Sequence, residues 1–231
     1  MNIGGIQKLT LLDYPDKTAC TLFTIGCNFR CSFCQNSSLI DSDSNNHKQS
    51  ASEILSFLQT RQDKLDGVCI SGGEPLLQDN LDVFIHEVKV LGFLVKLDTN
   101  GSYPQKLEKL LDTGMIDYVA MDIKNSPEKY ALTIGIPDYD ISPVEESINL
   151  LRSGTIPYEF RTTVVRELHS ADDLMSLARW ISGAEKFYLQ KFIISDGVLN
   201  KNLSGYSDEE MNQILQEIRT FLPNAKVRGF D

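Results

Sequence analysis

The chain has 231 residues, 42% of them hydrophobic and 23% charged, which fits one globular domain over residues 1–231 with a core that needs no disulfide staples. Its formal net charge of −10 speaks against a nucleic-acid groove or an anionic membrane surface as partner, and no run of about 18 apolar residues is present to span a bilayer. Met1–Lys8 lacks a signal-peptide pattern, and 5 cysteines with three in one loop do not make a secreted disulfide framework, so a reducing cytoplasm is the expected home.

Along the chain, Leu9-Thr-Leu-Leu-Asp-Tyr-Pro-Asp-Lys17 reads as a short extended piece with a turn at Tyr14-Pro15. Ala19 to Gly26 is apolar, β-branched and closed by glycine, which makes it a strand. A cysteine loop leaves its carboxyl end. Residues 41–51 are polar and read as a surface loop. Ser52 is placed to cap a helix through Lys64. Gly67–Ser71 is the next strand, and Asn80–Leu91 carries Leu81, Phe84, Ile85, Val88 and Leu91 on one helical face. Phe93–Asp98 is a strand and Pro104–Asp112 a helix with proline in its first turn. Tyr118–Ile123 is a strand, followed by an irregular stretch to Ile141 and a helix over Pro143–Leu151. Tyr158–Val165 and Lys186–Ile194 are strands, with a helix over Ala171–Ile181 between them. Ser207-Asp-Glu-Glu210 opens a last helix with a capping box.

Strands alternating with helices imply parallel strands joined by right-handed crossovers. The units are too few for an eight-fold barrel. The expected architecture is therefore α/β, an incomplete (β/α)6 TIM-like barrel with parallel strands, ahead of a flat doubly wound sheet. Either one puts functional loops beyond the strands' carboxyl ends. The cysteine loop, Ser71-Gly-Gly-Glu-Pro75, Asp98-Thr-Asn-Gly101 and Asp122-Ile-Lys124 all lie there. Arg161 falls within the fifth strand, and Gln190 and Lys191 within the sixth.

Cys27, Cys31 and Cys34 form a Cys-x3-Cys-x2-Cys array, the kind of short local run of thiolates that holds an iron–sulfur cluster. A [4Fe–4S] cubane on three cysteines leaves one iron open to a non-protein ligand. A structural zinc is the lesser alternative, because zinc calls for four protein ligands. Cys20 and Cys69 read as small apolar residues in buried strands, His47 falls in the polar loop and His86 on a helix.

Ser71-Gly-Gly-Glu-Pro75 serves equally as a strand-to-helix turn or as a place where backbone approaches a ligand. There Glu74 can hold an amino group or the backbone that supports it. Asp98-Thr-Asn-Gly101 has the same two readings. Asp122 and Lys124 can be a solvated pair, while two acids at adjacent strand ends repel unless a cation or hydroxyl groups lie between them. His169 reads as a surface residue and Trp180 as core.

Cys27-Asn-Phe-Arg-Cys-Ser-Phe-Cys34 followed by Gly72-Gly-Glu-Pro75 resembles the radical S-adenosyl-L-methionine (SAM) superfamily. Further stretches narrow the resemblance to the glycyl-radical-enzyme activases: Gly4-Gly-Ile-Gln-Lys8 with Leu12-Asp-Tyr-Pro15, Cys34-Gln-Asn36, Leu97-Asp-Thr-Asn-Gly101, Met121-Asp-Ile-Lys124 and Tyr130-Ala-Leu-Thr-Ile-Gly135. The whole chain is similar to the anaerobic ribonucleoside-triphosphate reductase type of activase. It is similar also to pyruvate formate-lyase activase, with Gln35 where a histidine often follows the third cysteine.

The resemblance implies a single [4Fe–4S] cluster on Cys27, Cys31 and Cys34, with SAM chelating the open iron through its amino and carboxylate groups. The reduced cluster would break the C5′–S bond, and the 5′-deoxyadenosyl radical would take a hydrogen atom from a backbone glycine of a glycyl radical enzyme. The resemblance puts Phe33 near the adenine and Gly72, Gly73 and Glu74 near the methionine amine. It puts Asp98, Thr99, Asp122 and Lys124 around the ribose, the methionine or a bound monovalent cation, and Arg161 on the carboxylate. It implies a flavodoxin- or ferredoxin-type electron donor and anaerobic work. The competing functions are action on a small molecule, as in a 7-carboxy-7-deazaguanine synthase-like enzyme, and a non-catalytic iron–sulfur or zinc module.

Overall fold

The computed structural model describes residues 1–41 and 48–229. The centre of the polar loop expected at 41–51, His47 included, lies outside them. The elements run β1 (Ile3–Thr10), β2 (Ala19–Thr24), α1 (Ala51–Gln59), β3 (Gly67–Gly72), α2 (Leu81–Val90), β4 (Leu94–Thr99), α3 (Pro104–Asp112) and β5 (Tyr118–Asp122). They continue with α4 (Tyr130–Ile134), α5 (Ser142–Ser153), β6 (Tyr158–Val164), α6 (Ala171–Trp180), β7 (Phe187–Lys191), α7 (Asp208–Ile218) and β8 (Lys226–Arg228). Sheet order follows sequence order from β1 to β8, without closure. The expected α/β class with an incomplete ring of βα units holds.

The chain divides into two compact units. One holds Met1–Asn28, Ser38–Thr99 and Tyr103–Ala120; the other holds Phe29–Ser37, Asn100–Ser102 and Met121–Asp231.

In the first unit, β2 and β3 pair in parallel from Ala19 opposite Gly67 to Thr24 opposite Gly72. The pairing of β3 with β4 is also parallel, from Gly67 opposite Leu94 to Ile70 opposite Leu97. Cys20, Leu22, Val68, Cys69, Ile70, Val95 and Leu97 are all buried. Strands covered on both faces read as continuous apolar runs rather than alternating ones, which is why the sequence marked them. β1 departs from the expectation: it is a full strand and pairs antiparallel to β2. Its Ile-Gly-Gly-Ile start has weak strand propensity, so it is pairing with β2 that makes it a strand.

Ser50, not Ser52, caps α1. Its hydroxyl accepts from the Glu53 N–H, and the Glu53 carboxylate reaches back to the Ser50 N–H. Counting three on from Ser52 gives Leu55, which cannot close such a box. The helix stops at Gln59 rather than Lys64, and Asp63 turns the chain through a positive φ of 66°.

In the second unit, β6 and β7 pair in parallel from Phe160 opposite Phe187 to Val164 opposite Lys191, and β7 carries β8 in parallel. Sequence periodicity did not show the three-residue β8. It is fixed by Arg228, whose guanidinium grips the buried Glu159 carboxylate at 2.6 and 2.8 Å and lies 3.4 Å from the Tyr188 ring centroid. That two-pronged geometry is the strong form of an arginine–carboxylate pair. Ser170 with Asp173 and Ser207 with Glu210 close capping boxes on α6 and α7.

Candidate functional site

The cysteine loop starts where β2 ends, and the first unit fixes that start. The Gly26 N–H donates to the Leu39 carbonyl and the Cys27 N–H to the Ile40 carbonyl. From the other side, the Gly73 N–H donates to the Thr24 carbonyl and the Glu74 N–H to the Gly26 carbonyl, at 2.9 and 2.8 Å. This lacing leaves no room for side chains. A Cβ on Gly72 would stand 2.2 Å from the Thr24 nitrogen, and one on Gly73 would stand 2.1 Å from the Gly26 oxygen. Gly72 also has a φ of +111°, which favours glycine. The Gly-Gly pair thus has a structural reason, which is the close approach of the strand end that launches Cys27.

Glu74 is fully buried. Its Oε1 accepts from the Leu76 N–H at 3.0 Å and from the Thr99 hydroxyl at 2.8 Å. Glu74 thus holds the Leu76 backbone and the Thr99 side chain at this turn. The charges of Glu74 and Cys27 both act on Tyr103, whose hydroxyl is pushed up chiefly by burial. Asp98 is paired with Lys96, an ammonium whose side chain is 1% exposed and which also takes the Cys69 sulfur at 3.7 Å. Lys96 was not singled out from sequence. The available signal was period two: in a strand, Lys96 and Asp98 share a face, and register sets Lys96 beside Cys69.

The second unit holds the rest of the loop. The Arg30 N–H donates to the Ile134 carbonyl at 2.8 Å, and the Cys34 N–H to the Cys31 carbonyl at 3.1 Å. Gly135, at the end of α4, has a φ of +71°, and a Cβ there would lie 2.6 Å from the Arg30 oxygen. The segment after β7 clamps the far side. The Gln35 side-chain amide donates to the Ile193 carbonyl, the Ser37 hydroxyl to the Gly197 carbonyl, and the Asn200 N–H to the Ser32 carbonyl. Gln35 therefore has a structural task of its own.

Phe33 packs edge-on against His169. The sequence placed His169 at the surface, and the structure corrects this: the residue is fully buried. Both ring nitrogens are satisfied there. Nδ1 accepts from the Val165 N–H at 3.1 Å, and Nε2–H donates to the Lys124 carbonyl at 2.8 Å. Those partners assign the neutral Nε2–H tautomer, and burial lowers the imidazole's pKa in agreement. Trp180 is half-buried and meets Tyr130 edge-on.

Asp122 is held from two sides, by Arg161 Nε on Oδ1 at 2.9 Å and by Lys124 Nζ on Oδ2 at 3.0 Å. Burial opposes its charge, but Arg161 and then Lys124 outweigh it and bring the carboxyl down to about 2. Lys124 stays protonated far above neutrality. Burial works against its charge, while Asp122 first and Cys31 after it favour it. Burial pushes the Cys34 thiol up, with Lys124 pulling it back. Asp122, Lys124 and Arg161 thus form a three-member charged cluster rather than a solvated pair.

All five cysteines are thiols rather than disulfide halves. Among the described residues, no group of three or more His, Cys, Asp or Glu side chains is arranged to hold a metal ion. A cubane makes a different demand, because each thiolate takes its own iron and the sulfurs need not converge on one point. The donor chemistry fits that group: three thiols on an ordered loop whose flanks are pinned by backbone hydrogen bonds. No helix among the described residues is long and apolar enough to cross a membrane.

The family model described as the Radical SAM superfamily matches residues 21–181. A Methanocaldococcus jannaschii protein provisionally named a glycyl-radical enzyme activating enzyme is 28% identical over 98% of this chain and 95% of its own length. Among solved structures, a domain of pyruvate-formate lyase-activating enzyme from Bacteroides vulgatus has a TM-score of 0.58 at 16% identity, over 71% of this chain and 99% of that one. Streptococcus suis SuiB bound to S-adenosylmethionine has a TM-score of 0.68 at 14% identity over 89% of this chain. This chain spans 49% of SuiB. At those identities the two structures speak to the fold.

Proposed function

This chain belongs to the radical SAM superfamily, and we propose that within it the protein activates a glycyl radical enzyme of the anaerobic ribonucleotide reductase type. The observation that carries the SAM-cleaving half is the ordered three-thiol loop, fixed at both flanks. The choice of partner is supported by near full-length likeness to a relative bearing an activating enzyme's name. On this reading residues 1–231 work as one radical SAM domain in the cytoplasm, and a flavodoxin- or ferredoxin-type protein delivers electrons.

Cys27, Cys31 and Cys34 would hold a [4Fe–4S] cluster, with SAM on the remaining iron. When bound, the cluster supplies the electron that cleaves SAM to the 5′-deoxyadenosyl radical, which takes hydrogen from a glycine of the partner. The protein's share is binding and orientation. Phe33, backed by His169, offers its ring to the adenine. Gly72 and Gly73 bring backbone to the methionine amine, and Glu74 with Thr99 keeps that turn in shape. Asp98, Asp122 and Lys124 serve the ribose, the methionine or a monovalent cation. Arg161 serves the SAM carboxylate while keeping Asp122 ionised.

The test is anaerobic reconstitution followed by dithionite and SAM. Iron at about four per chain, release of 5′-deoxyadenosine and its loss in Cys31→Ala are expected. A glycyl EPR doublet should then appear on a co-expressed glycyl radical enzyme. Stoichiometric zinc in place of iron would overturn the cluster. Turnover of a small molecule with no partner, and no doublet, would overturn the activase.

A further inference from the structure

Carboxylates at strand ends need counter-charge, and a monovalent cation is one group the resemblance implies for Asp98 and Asp122. The residues around them do not fit such an ion. Hard cations bind clusters of oxygen ligands, whereas each of these carboxylates faces fixed positive charge within its own unit. In the first unit, the Lys96 ammonium pairs with Asp98 Oδ1. In the second, Arg161 and Lys124 meet Asp122 at 2.9 and 3.0 Å, two cations on one carboxylate.

Lys96 is the more telling of these cations. Its side chain is 1% exposed and that of Asp98 12%. It is tied in place, because it shares a face of β4 with Asp98 and its nitrogen also donates to the Cys69 sulfur of β3 at 3.7 Å. An alkali ion that took its place on Asp98 would leave a buried ammonium without that counter-charge, and a buried charge is costly to strand. Burying an ion pair gains little stability over two apolar residues of the same size. A pair set near the carboxyl end of β4, where ligand-facing loops gather, is better explained by a task at the site.

We propose that the Lys96 ammonium is the resident cation of this site, neutralising and orienting the Asp98 carboxylate in the place an exchangeable alkali ion would otherwise take. SAM binding is then independent of sodium and potassium. This rests on the reading of Asp98 as a SAM-facing residue. Lys96 acts through Asp98 and is a positioning residue.

The experiment is equilibrium binding of SAM to the anaerobically reconstituted, iron-counted protein in potassium, sodium or tetramethylammonium chloride at equal ionic strength. Wild-type affinity should be the same in the three salts. Affinity that rises severalfold and saturably with potassium or sodium overturns the proposal. So does a wild-type broadening of the sodium NMR line that is absent from the Lys96→Met, Asp98→Asn double variant, a readout that needs neither turnover nor bound SAM. Lys96→Ala should bind SAM severalfold more weakly in tetramethylammonium chloride and regain affinity as potassium or sodium is added, which lost packing alone would not produce. Undiminished binding by this variant in tetramethylammonium chloride, or a loss that no alkali salt restores, overturns the proposal as well. Should Lys96→Ala fail to fold, the wild-type salt series decides. Iron-loaded wild-type protein that binds SAM in none of the salts strikes the reading of Asp98 as SAM-facing instead, so the two failures are distinct.

Discussion

Phe33 meets the buried imidazole of His169 edge to face, with ring centroids 6.4 Å apart and planes at 77°. The same imidazole holds the Lys124 carbonyl through Nε2–H. One side chain thus sets the aromatic of the cysteine loop and the strand-end lysine against each other. Loosening His169 should be felt at both.

Replacing His169 with leucine strands the Val165 N–H and the Lys124 carbonyl, and should cost about 2–4 kcal/mol in urea denaturation. The Michaelis constant for SAM should rise several-fold more than kcat falls, because Phe33 and Lys124 lose their support rather than their chemistry. His169→Gln, which can still donate, should recover part of both. Burial depresses this imidazole's pKa, so the unfolded chain binds the extra proton first. Stability should therefore fall as pH drops below about 6.5, the unfolded value, and this slope should be absent from His169→Gln.

Asp122 gives a second, separate acid limb. Its pKa falls from 3.8 to about 2 in the folded protein. The stabilisation it provides is complete above the unfolded value and is lost as pH falls through the folded one. With 30% of the side chain exposed, solvent screening limits the effect to about 1–2 kcal/mol. Arg161→Met removes the stronger of its two counter-charges. The Asp122 carboxyl signal in carbon NMR should then titrate closer to the ordinary carboxylate range, and SAM binding should weaken.

Gly73→Ala tests whether the Gly-Gly turn is there for strand packing. A methyl placed 2.1 Å from the Gly26 oxygen must push the start of the cysteine loop, at about 1–3 kcal/mol. Iron content after reconstitution should drop with stability. Gly5→Ala, where a Cβ meets nothing within 4 Å, should load normally. Equal loading in the two variants would assign Gly73 to ligand approach alone.

Lys96→Met leaves the Asp98 carboxylate without its buried ammonium and should destabilise the protein by about 3–5 kcal/mol. Joining it to Asp98→Asn should recover much of that loss, because a neutral pair carries no stranded charge. A double-mutant cycle in urea gives the coupling directly.

The sequence alone determined whatever depends on near neighbours in the chain. The buried parallel strands showed as apolar runs, α3 was bounded by its first-turn proline, and the capping box at Ser207 fixed the start of α7. The cysteine spacing pointed to cluster chemistry because three thiols sit within one loop. Tertiary structure decided the fate of isolated polar residues and of short strands. His169 reads as exposed until the Lys124 carbonyl, 45 residues away, gives its Nε2–H a partner in the interior. Lys96 becomes legible as a buried ion only when β3 brings Cys69 beside it and Asp98 shares its face. β1 and β8 have too little local propensity to declare themselves, and they exist through β2 and through the Arg228–Glu159 grip. The Gly72-Gly73 pair read in sequence as either a turn or a place of ligand approach, while its backbone contacts with Thr24 and Gly26 arise only once β2 and β3 lie side by side. The physical reason is range: propensity, capping and thiolate spacing act within a few residues, whereas burial of a charge or a polar ring is tolerated only where distant segments supply the partner.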